Sequence, residues 1–151
     1  MKIRNSIKAI IIKDRHILTM KGRDNDGDYF LLPGGGQEPG ETMTEALQRE
    51  CREEISCDIF VGDITLIREY ISNNHEFAKI DPEIHQIEYM FQCKLAENSS
   101  PKIGHIPDNN QIGIEWLNLD KINQYRLYPR SLQSVFASLN DSHKIYRGDI
   151  N

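Results

Sequence analysis

The sequence predicts a mixed fold of strands and helices, either α+β or an α/β sandwich, in which strands surround a central helix and a second helix follows. Two observations predict it. Short β-rich apolar runs are separated by turn residues along most of the chain, and two segments carry apolar residues at helical spacing. Because 151 residues is a typical length for one domain, we expect residues 1–151 to form a single domain.

The first third of the chain predicts strands and turns. The β-rich run at residues 7–12, the turn at 13–15 and the return run at 16–20 are typical of a hairpin. A short apolar strand at residues 29–32 ends before Pro33-Gly34-Gly35-Gly36, where a loop with an exposed backbone begins.

The central helix has a clear start signal. Thr42-Met43-Thr44-Glu45 has the form of a capping box, which places the helix start near Thr42. The helical pattern continues through Glu54 or Ile55, and we expect a break at Ser56.

The rest of the chain predicts further strands and one more helix. An amphipathic helix is expected at residues 131–139, and the polar tail from Asn140 is expected to fray. The predicted strands cover residues 57–61, 64–70, 84–95 and 114–117.

Composition and charge exclude several classes of function. The 18 Lys and Arg against 23 Asp and Glu give a net charge of −5, which argues against binding a nucleic acid polymer. No apolar run reaches the ~18–20 residues needed to cross a bilayer, and no secretory signal is visible, so we expect no membrane association. Three cysteines without metal-ligand spacing indicate reduced thiols and a cytoplasmic protein.

The central helix gathers three carboxylates on one side. At ~100° per residue, Glu50, Glu53 and Glu54 occupy an arc of ~100° that adjoins the apolar, core-facing arc. Crowded carboxylates at a partly buried edge repel one another, and a hard divalent cation such as Mg²⁺ relieves that repulsion. The alternative is an acidic helix face exposed to solvent.

The loop before the helix favours the metal hypothesis. Its glycines let the backbone approach a ligand, and the carbonyl of Gly34 or Gly35 adds a neutral oxygen. Glu41 adds a carboxylate at the helix entrance, where it either joins the site or stabilises the positive end of the helix. Arg49 flanks the arc and is placed to pair with Glu41 or another carboxylate.

These residues resemble the conserved box of the Nudix hydrolase superfamily, G-x5-E-x7-R-E-U-x-E-E-x-G-U, in which U is a bulky aliphatic residue. Residues 35–57, 23 of the 151, match every charged position of that pattern, and the Leu32-Pro33-Gly34 lead-in is also similar to the family. The departures are Ser56 at the glycine position and two cysteines, Cys51 and Cys57, at aliphatic positions.

The resemblance implies a fold and a reaction. The expected fold is an α/β/α sandwich with a mixed sheet, the box helix packed on it and a C-terminal helix. The expected reaction is hydrolysis of the pyrophosphate bond in a nucleoside diphosphate linked to another moiety, such as a nucleotide sugar, ADP-ribose or a (d)NTP.

It also implies roles for individual residues. Glu50, Glu53 and Glu54 should bind Mg²⁺, with Mn²⁺ as a substitute and the Gly34 or Gly35 carbonyl assisting, while Glu41 and Arg49 orient them. Glu53 is the first candidate for the general base. The downstream loop acids Asp108 and Glu97 are alternatives.

The substrate beyond the pyrophosphate stays open. Candidate residues for the base and sugar pocket are Arg23, Tyr29, Phe30, Arg68, His85, Glu88, Tyr89, Tyr128 and Arg130. A catalytically silent, nucleotide-sensing Nudix module is the alternative function, whereas mRNA decapping conflicts with the acidic composition. Homodimers are common in the family, but no feature here demands one.

Overall fold

Residues 1–139 and 143–151 are described by a computed structural model, and this part of the chain contains nine strands and two α-helices. The helices are α1 (Met43–Ile55) and α2 (Gln133–Ala137). Short 3-10 turns cover Ser72–Asn74, Leu119–Gln124 and Arg130–Leu132. The strands are β1 (Ile3–Lys13), β2 (His16–Asp24), β3 (Gly27–Leu31), β4 (Gly34–Gly36), β5 (Ile59–Ile71), β6 (His85–Leu95), β7 (Gln111–Asn118), β8 (Leu127–Tyr128) and β9 (Tyr146–Asp149).

The strands form one mixed sheet in the order β8-β3-β2-β1-β6-β5-β9. Strand β4 pairs with β1, and β7 pairs with β2, so the sheet branches beside the predicted hairpin. The central β1–β6 pair is parallel, while β5 and β6 are antiparallel. The glycine strand β4 lines a cleft together with residues of β1, β3 and β6.

Strand β1 divides the core into two layers, because neighbouring side chains of a strand point to opposite faces. Ile7 and Ala9 belong to the cluster that packs under α1, whereas Ile10 belongs to the cluster that contains Phe136 of α2. A helix therefore covers each face of the sheet, and the predicted α/β/α sandwich is confirmed.

Helix α1 begins and ends as its sequence predicts. The Thr42 hydroxyl accepts a hydrogen bond from the Glu45 amide (3.2 Å), and the Glu45 carboxylate accepts one from the Thr42 amide (2.8 Å). At the other end, Ser56 adopts a left-handed conformation with φ of 55° and ψ of 34°. The serine thus takes the backbone conformation for which the family pattern has glycine.

Strand β5 corrects the prediction of two strands at residues 57–61 and 64–70. The structure has one strand, Ile59–Ile71, whose pairing with β6 is interrupted by irregularities between Val61 and Leu66. A β-bulge inserts a residue without ending the strand, so turn-forming residues such as Gly62 and Asp63 here mark a bulge.

The end of the chain differs most from the prediction. The helix expected at residues 131–139 is a 3-10 turn followed by the short α2, and the expected fraying is wrong for β9, which pairs in parallel with β5. Residues 140–142, where the tail was predicted to begin, lie outside the described residues. Long-range hydrogen bonds hold β9 in place. The Asp149 carboxylate accepts one from the Ile71 amide (2.9 Å) and one from the Asn74 side chain (2.6 Å).

The three cysteines are free and buried, as predicted. Burial raises the pKa of the Cys51 and Cys93 thiols, so both behave as small apolar side chains. No helix within the described residues is both long enough and apolar enough to cross a membrane.

The left-handed Ser56 gives a stability prediction. Ser56→Gly should raise the free energy of unfolding by about 0.5–1 kcal/mol, because glycine removes the cost of a side chain at positive φ and Ser56 is exposed. Urea denaturation measures the change. Ser56→Ala is the control and should give no gain, and equal stabilisation by both variants would contradict the explanation.

Candidate active site

The triple-glycine strand β4 brings the backbone into contact with α1. Gly34 has φ of +132°, and a Cβ added there would lie 2.0 Å from the Ile7 carbonyl oxygen, so no other residue fits. A Cβ on Gly35 would lie 2.5 Å from Oε1 of Glu50. The segment predicted as a loop is thus strand β4 at Gly34–Gly36, and its glycines let the helix carboxylates lie directly against the strand backbone.

Glu54 is the buried acid of this contact, with 1% of its surface exposed. Its Oε2 accepts a hydrogen bond from the Gly34 amide (3.0 Å), while its Oε1 is buried and has no partner among the described residues. Burial raises the pKa of the Glu54 carboxyl, although the ammonium of Lys8 opposes this effect. An unpartnered buried oxygen is costly and indicates a group that the protein alone does not supply.

Arg49 joins the remaining acids into one network. Its Nε and Nη2 donate to the two carboxylate oxygens of Glu41 (2.6 and 3.0 Å), so the predicted pairing is present. Its Nη1 donates to Glu50 (3.1 Å) and to Glu53 (3.4 Å), and Nη2 also donates to the Gly36 carbonyl (3.0 Å). The guanidinium lowers the pKa of Glu41 to about 2. This network fixes the helix start, the glycine strand and two box acids relative to one another.

The donor set fits a hard divalent cation, although it is not a closed cage. Within the described residues no three His, Cys, Asp or Glu side chains are grouped closely enough to hold a metal ion, and Arg49 donates hydrogen bonds to both Glu50 and Glu53. The unpartnered Oε1 of Glu54 and the Glu50 carboxylate beside Gly35 offer the oxygen ligands that Mg²⁺ prefers. An incomplete protein cage also suits Mg²⁺, which retains waters or substrate oxygens as ligands.

The glycine carbonyls are partly engaged by the protein. The Lys8 ammonium donates to the Gly34 carbonyl (3.0 Å) and to the Leu32 carbonyl (3.4 Å). Gly35 pairs with Ile7 in the β1–β4 ladder. Lys8 thereby places a positive charge beside the acids, on the wall of the cleft.

Of the box acids, Glu50 lies at one end of a cleft formed by two cavities, whereas Glu41, Glu53 and Glu54 line neither cavity. The first, of about 310 Å³, is lined by Glu50 and Gly35 together with Arg4, Lys8 and Asp108. The second, of about 490 Å³, is lined by aromatic and polar groups. These include Tyr29, Tyr70, Phe77, Arg126 and Asn151. Four residues line both cavities and so mark their junction: Leu31, Arg68, Gln86 and Tyr128.

A loop docked on the end of α1 brings Asp108 to the acids. Its backbone amides satisfy the last helix carbonyls, which otherwise lack partners. The amide-to-carbonyl pairs are Lys102 to Ile55 (3.1 Å), Gly104 to Glu54 (3.0 Å) and Ile106 to Glu53 (3.1 Å). Of the two downstream acids proposed as general base, Asp108 lines the first cavity, whereas Glu97 lines a separate surface depression near Trp116.

The predicted pocket residues divide into two groups. Arg68, Glu88, Tyr128 and Tyr29 line the cleft. The other five do not line either cavity. Phe30 belongs to the core cluster that contains Phe136, and Tyr89 packs against the other core cluster, under α1. Arg23 pairs with Asp28, and His85 pairs with Glu69. The Arg130 guanidinium lies over the Tyr128 ring.

Several cleft residues were missed from the sequence. Arg4 and Ser6 lie on β1, which begins four residues earlier than predicted, and they share the polar face of that strand with Lys8. Their alternation with Ile7 and Ala9 was a signal that could have found them. Phe77 and Arg126 come from loops without a periodic pattern.

The family model of the NUDIX domain matches residues 2–137. The chain belongs to the NUDIX family. The predicted membership in this superfamily is confirmed, and with it the assignment as an enzyme of the pyrophosphohydrolase class.

Individual relatives agree with the family assignment. The nucleoside triphosphatase NudI of Salmonella agona (strain SL483) is 34% identical over 107 residues, which are 64% of this chain and 72% of the relative. A NUDIX hydrolase structure from Nitrosomonas europaea has a TM-score of 0.72 at 15% identity, covering 100% of this chain and 80% of its own. An ADP-ribose pyrophosphatase structure from Streptococcus suis has a TM-score of 0.64 at 20% identity, covering 97% and 98%. These two structures support the fold.

The docked loop gives a test for this NUDIX enzyme. A Cβ on Gly104 would lie 1.9 Å from the Glu53 carbonyl oxygen, so Gly104→Ala must displace the loop that carries Asp108. We expect a loss of about 1–3 kcal/mol in unfolding free energy and at least about a tenfold loss of kcat/KM. Gly113→Ala is the matched control, because the nearest atom to its Cβ is 3.9 Å away. Wild-type stability and activity in Gly104→Ala would show that the docked loop is not required.

Proposed function

We propose that the enzyme catalyses Mg²⁺-dependent hydrolysis of the pyrophosphate bond in a nucleoside diphosphate linked to another moiety, with Mn²⁺ as a substitute. The observation that carries the proposal is the buried, unpartnered oxygen of Glu54 beside Glu50 and the glycine strand. A divalent cation is the group of the right charge and hardness to satisfy that oxygen.

In this proposal Glu50, Glu53 and Glu54 hold the cation, assisted by the Gly34 or Gly35 carbonyl, and Arg49 with Glu41 orients them. A bound cation would neutralise phosphate charge and make the attacking water more acidic. The Arg49 network supports the orienting role, since one guanidinium contacts Glu41, Glu50 and Glu53. The cations Arg4 and Lys8 on the wall of the first cavity suit the phosphate chain.

The proton of the attacking water goes to a carboxylate, and we keep Glu53 as the first candidate base. Asp108 is the alternative supported by position, because it lines the same cavity as Glu50. Glu97 lines a separate surface depression, so we do not assign it the role of general base.

Among small nucleotides we favour a nucleoside triphosphate, as suggested by the similarity to NudI. The aromatic second cavity offers stacking surfaces for a base next to the phosphate end of the cleft. ADP-ribose and nucleotide sugars belong in the same assay panel. A protein that binds nucleotides but hydrolyses none, with or without Mg²⁺, would instead be a silent nucleotide-sensing module.

The same proposal treats residues 1–151 as a single hydrolase domain, supported by the family match over residues 2–137 and by the pairing of β9 with β5. It places the protein in the cytoplasm, as its three free cysteines suggest. The proposed partner is a small nucleotide, with a homodimer left open.

Loss of one box carboxylate should lower turnover while the fold is retained. Glu53→Gln and Glu54→Gln should each reduce kcat on the best substrate of the panel by about 100-fold or more, because each removes a ligand charge. Circular dichroism should show a folded protein, since Glu54→Gln removes a charge from a buried position. Glu97→Gln is the control and should retain full activity. Unchanged turnover in both box variants would reject the assignment.

Metal binding should also stabilise the folded protein. Millimolar Mg²⁺ should raise the melting temperature of the wild type by about 2–5 °C, because the ion binds acids that are gathered only in the folded state. Glu54→Gln should lose most of this shift, and Glu97→Gln should keep it. A melting temperature that does not respond to Mg²⁺ would count against the metal site.

A further inference from the structure

Arg68 lies at the junction of the two cavities, where a substrate spanning the cleft must pass. It projects from β5 opposite Glu88 of β6, and its Nε donates to Oε2 of Glu88 at 2.5 Å. Both side chains are buried, with 7% and 5% of their surfaces exposed. The charge of Arg68 is thus already balanced by a carboxylate at its side.

Three acceptors of the protein bind Nε and Nη1 of Arg68, and the two N–H groups of Nη2 are left over within the described residues. Nη1 donates to the Ile150 carbonyl (2.7 Å) and to Oδ1 of Asn151 (3.2 Å). The other terminal nitrogen, Nη2, has no hydrogen-bond partner within the described residues. A buried guanidinium with a balanced charge and a free donor suits a neutral acceptor better than a phosphate.

Residues 146–151, which we name the C-terminal segment, hold Arg68 in this place. The segment is anchored at several points: Asp149 accepts from the Ile71 amide, Asn74 and His75 (2.9, 2.6 and 2.6 Å). The Ser131 hydroxyl donates to the Asn151 carbonyl (2.6 Å), and the side-chain amide of Asn151 donates to the Glu76 carboxylate (3.2 Å). The segment therefore ties Arg68 to the loop after β5 and to the turn before α2.

We propose that Arg68 is a specificity residue that donates a hydrogen bond from Nη2 to a neutral oxygen or nitrogen of the nucleoside, and that the C-terminal segment positions it. This inference rests on the proposed function, since it assigns the nucleoside half of the same substrate. The phosphate chain then lies toward Glu50 and the base toward Tyr128 and Phe77, on either side of Arg68.

Arg68→Lys tests the contact, because lysine keeps the charge beside Glu88 but cannot supply the same set of donors. The KM for nucleoside triphosphates should rise about tenfold or more with little change in kcat, and the differences in kcat/KM among the four bases should narrow. The inhibition constant of inorganic tripolyphosphate, which has no nucleoside, should not change. Arg15→Lys is the matched control: Arg15 also donates to a carboxylate (Asp120) and to a backbone carbonyl (Ala137), but it is exposed and lines neither cavity, so KM should stay within about twofold.

Two outcomes would overturn the assignment of Arg68. An equal rise of KM and of the tripolyphosphate inhibition constant would place Arg68 on the phosphates, and an unchanged KM in a folded Arg68→Lys protein would remove it from the substrate. If the wild type hydrolyses no nucleotide, the proposed function fails on its own. Dissociation constants from calorimetry then test Arg68, and they should weaken in Arg68→Lys for nucleotides but not for tripolyphosphate.

Asn151→Ala tests the positioning role without changing Arg68. We expect KM to rise about two- to fivefold at unchanged kcat and unchanged tripolyphosphate inhibition. In the Arg68→Lys background the same substitution should have no further effect on KM, because Asn151 acts through Arg68. Additive effects of the two substitutions would show that Asn151 does not act through Arg68.

Discussion

The contact between Glu54 and the Gly34 amide is the constraint on which the site depends. A carboxylate in the body of α1 is buried against β4, and only one of its two oxygens is satisfied there. This arrangement requires glycine at position 34, because any side chain there would clash with the Ile7 carbonyl oxygen. It also fixes the rotation of the helix, so that Glu50 lines the cleft while Leu47 and Cys51 face the core.

The last turn of this helix, which carries Glu54, also supports the wall of the cleft. The carbonyls of Glu53, Glu54 and Ile55 bind the loop that carries Asp108, so the helix end and the cleft wall form one hydrogen-bonded unit. Arg49 makes the equivalent connection at the helix start through Glu41. Packing, capping and site geometry therefore share residues, and substitutions in the box are expected to affect stability and chemistry together.

The sequence predicts what depends on local periodicity and much less of what depends on distant contacts. The capping box at Thr42 and the acidic arc of Glu50, Glu53 and Glu54 follow from a 3.6-residue repeat, and both are present. The hydrogen bonds from the Gly104 amide to the Glu54 carbonyl and from the Ile71 amide to Asp149 join residues 50 or more positions apart in the chain, and no repeating pattern predicts them. The sequence predicts two strands at residues 57–61 and 64–70 where the structure has one, because Gly62 and Asp63 have the chemistry of turns but lie in a bulge.

We propose that a divalent cation completes the coordination of Glu54. The most direct measurement is a crystal structure with millimolar Mn²⁺, in which anomalous scattering locates the ion without reference to activity. We expect an anomalous peak at about 2.0–2.3 Å from Oε1 of Glu54, within ligand distance of Glu50 and beside the Gly34–Gly36 strand. Anomalous density absent from that position, or present only at other surface acids, would contradict it.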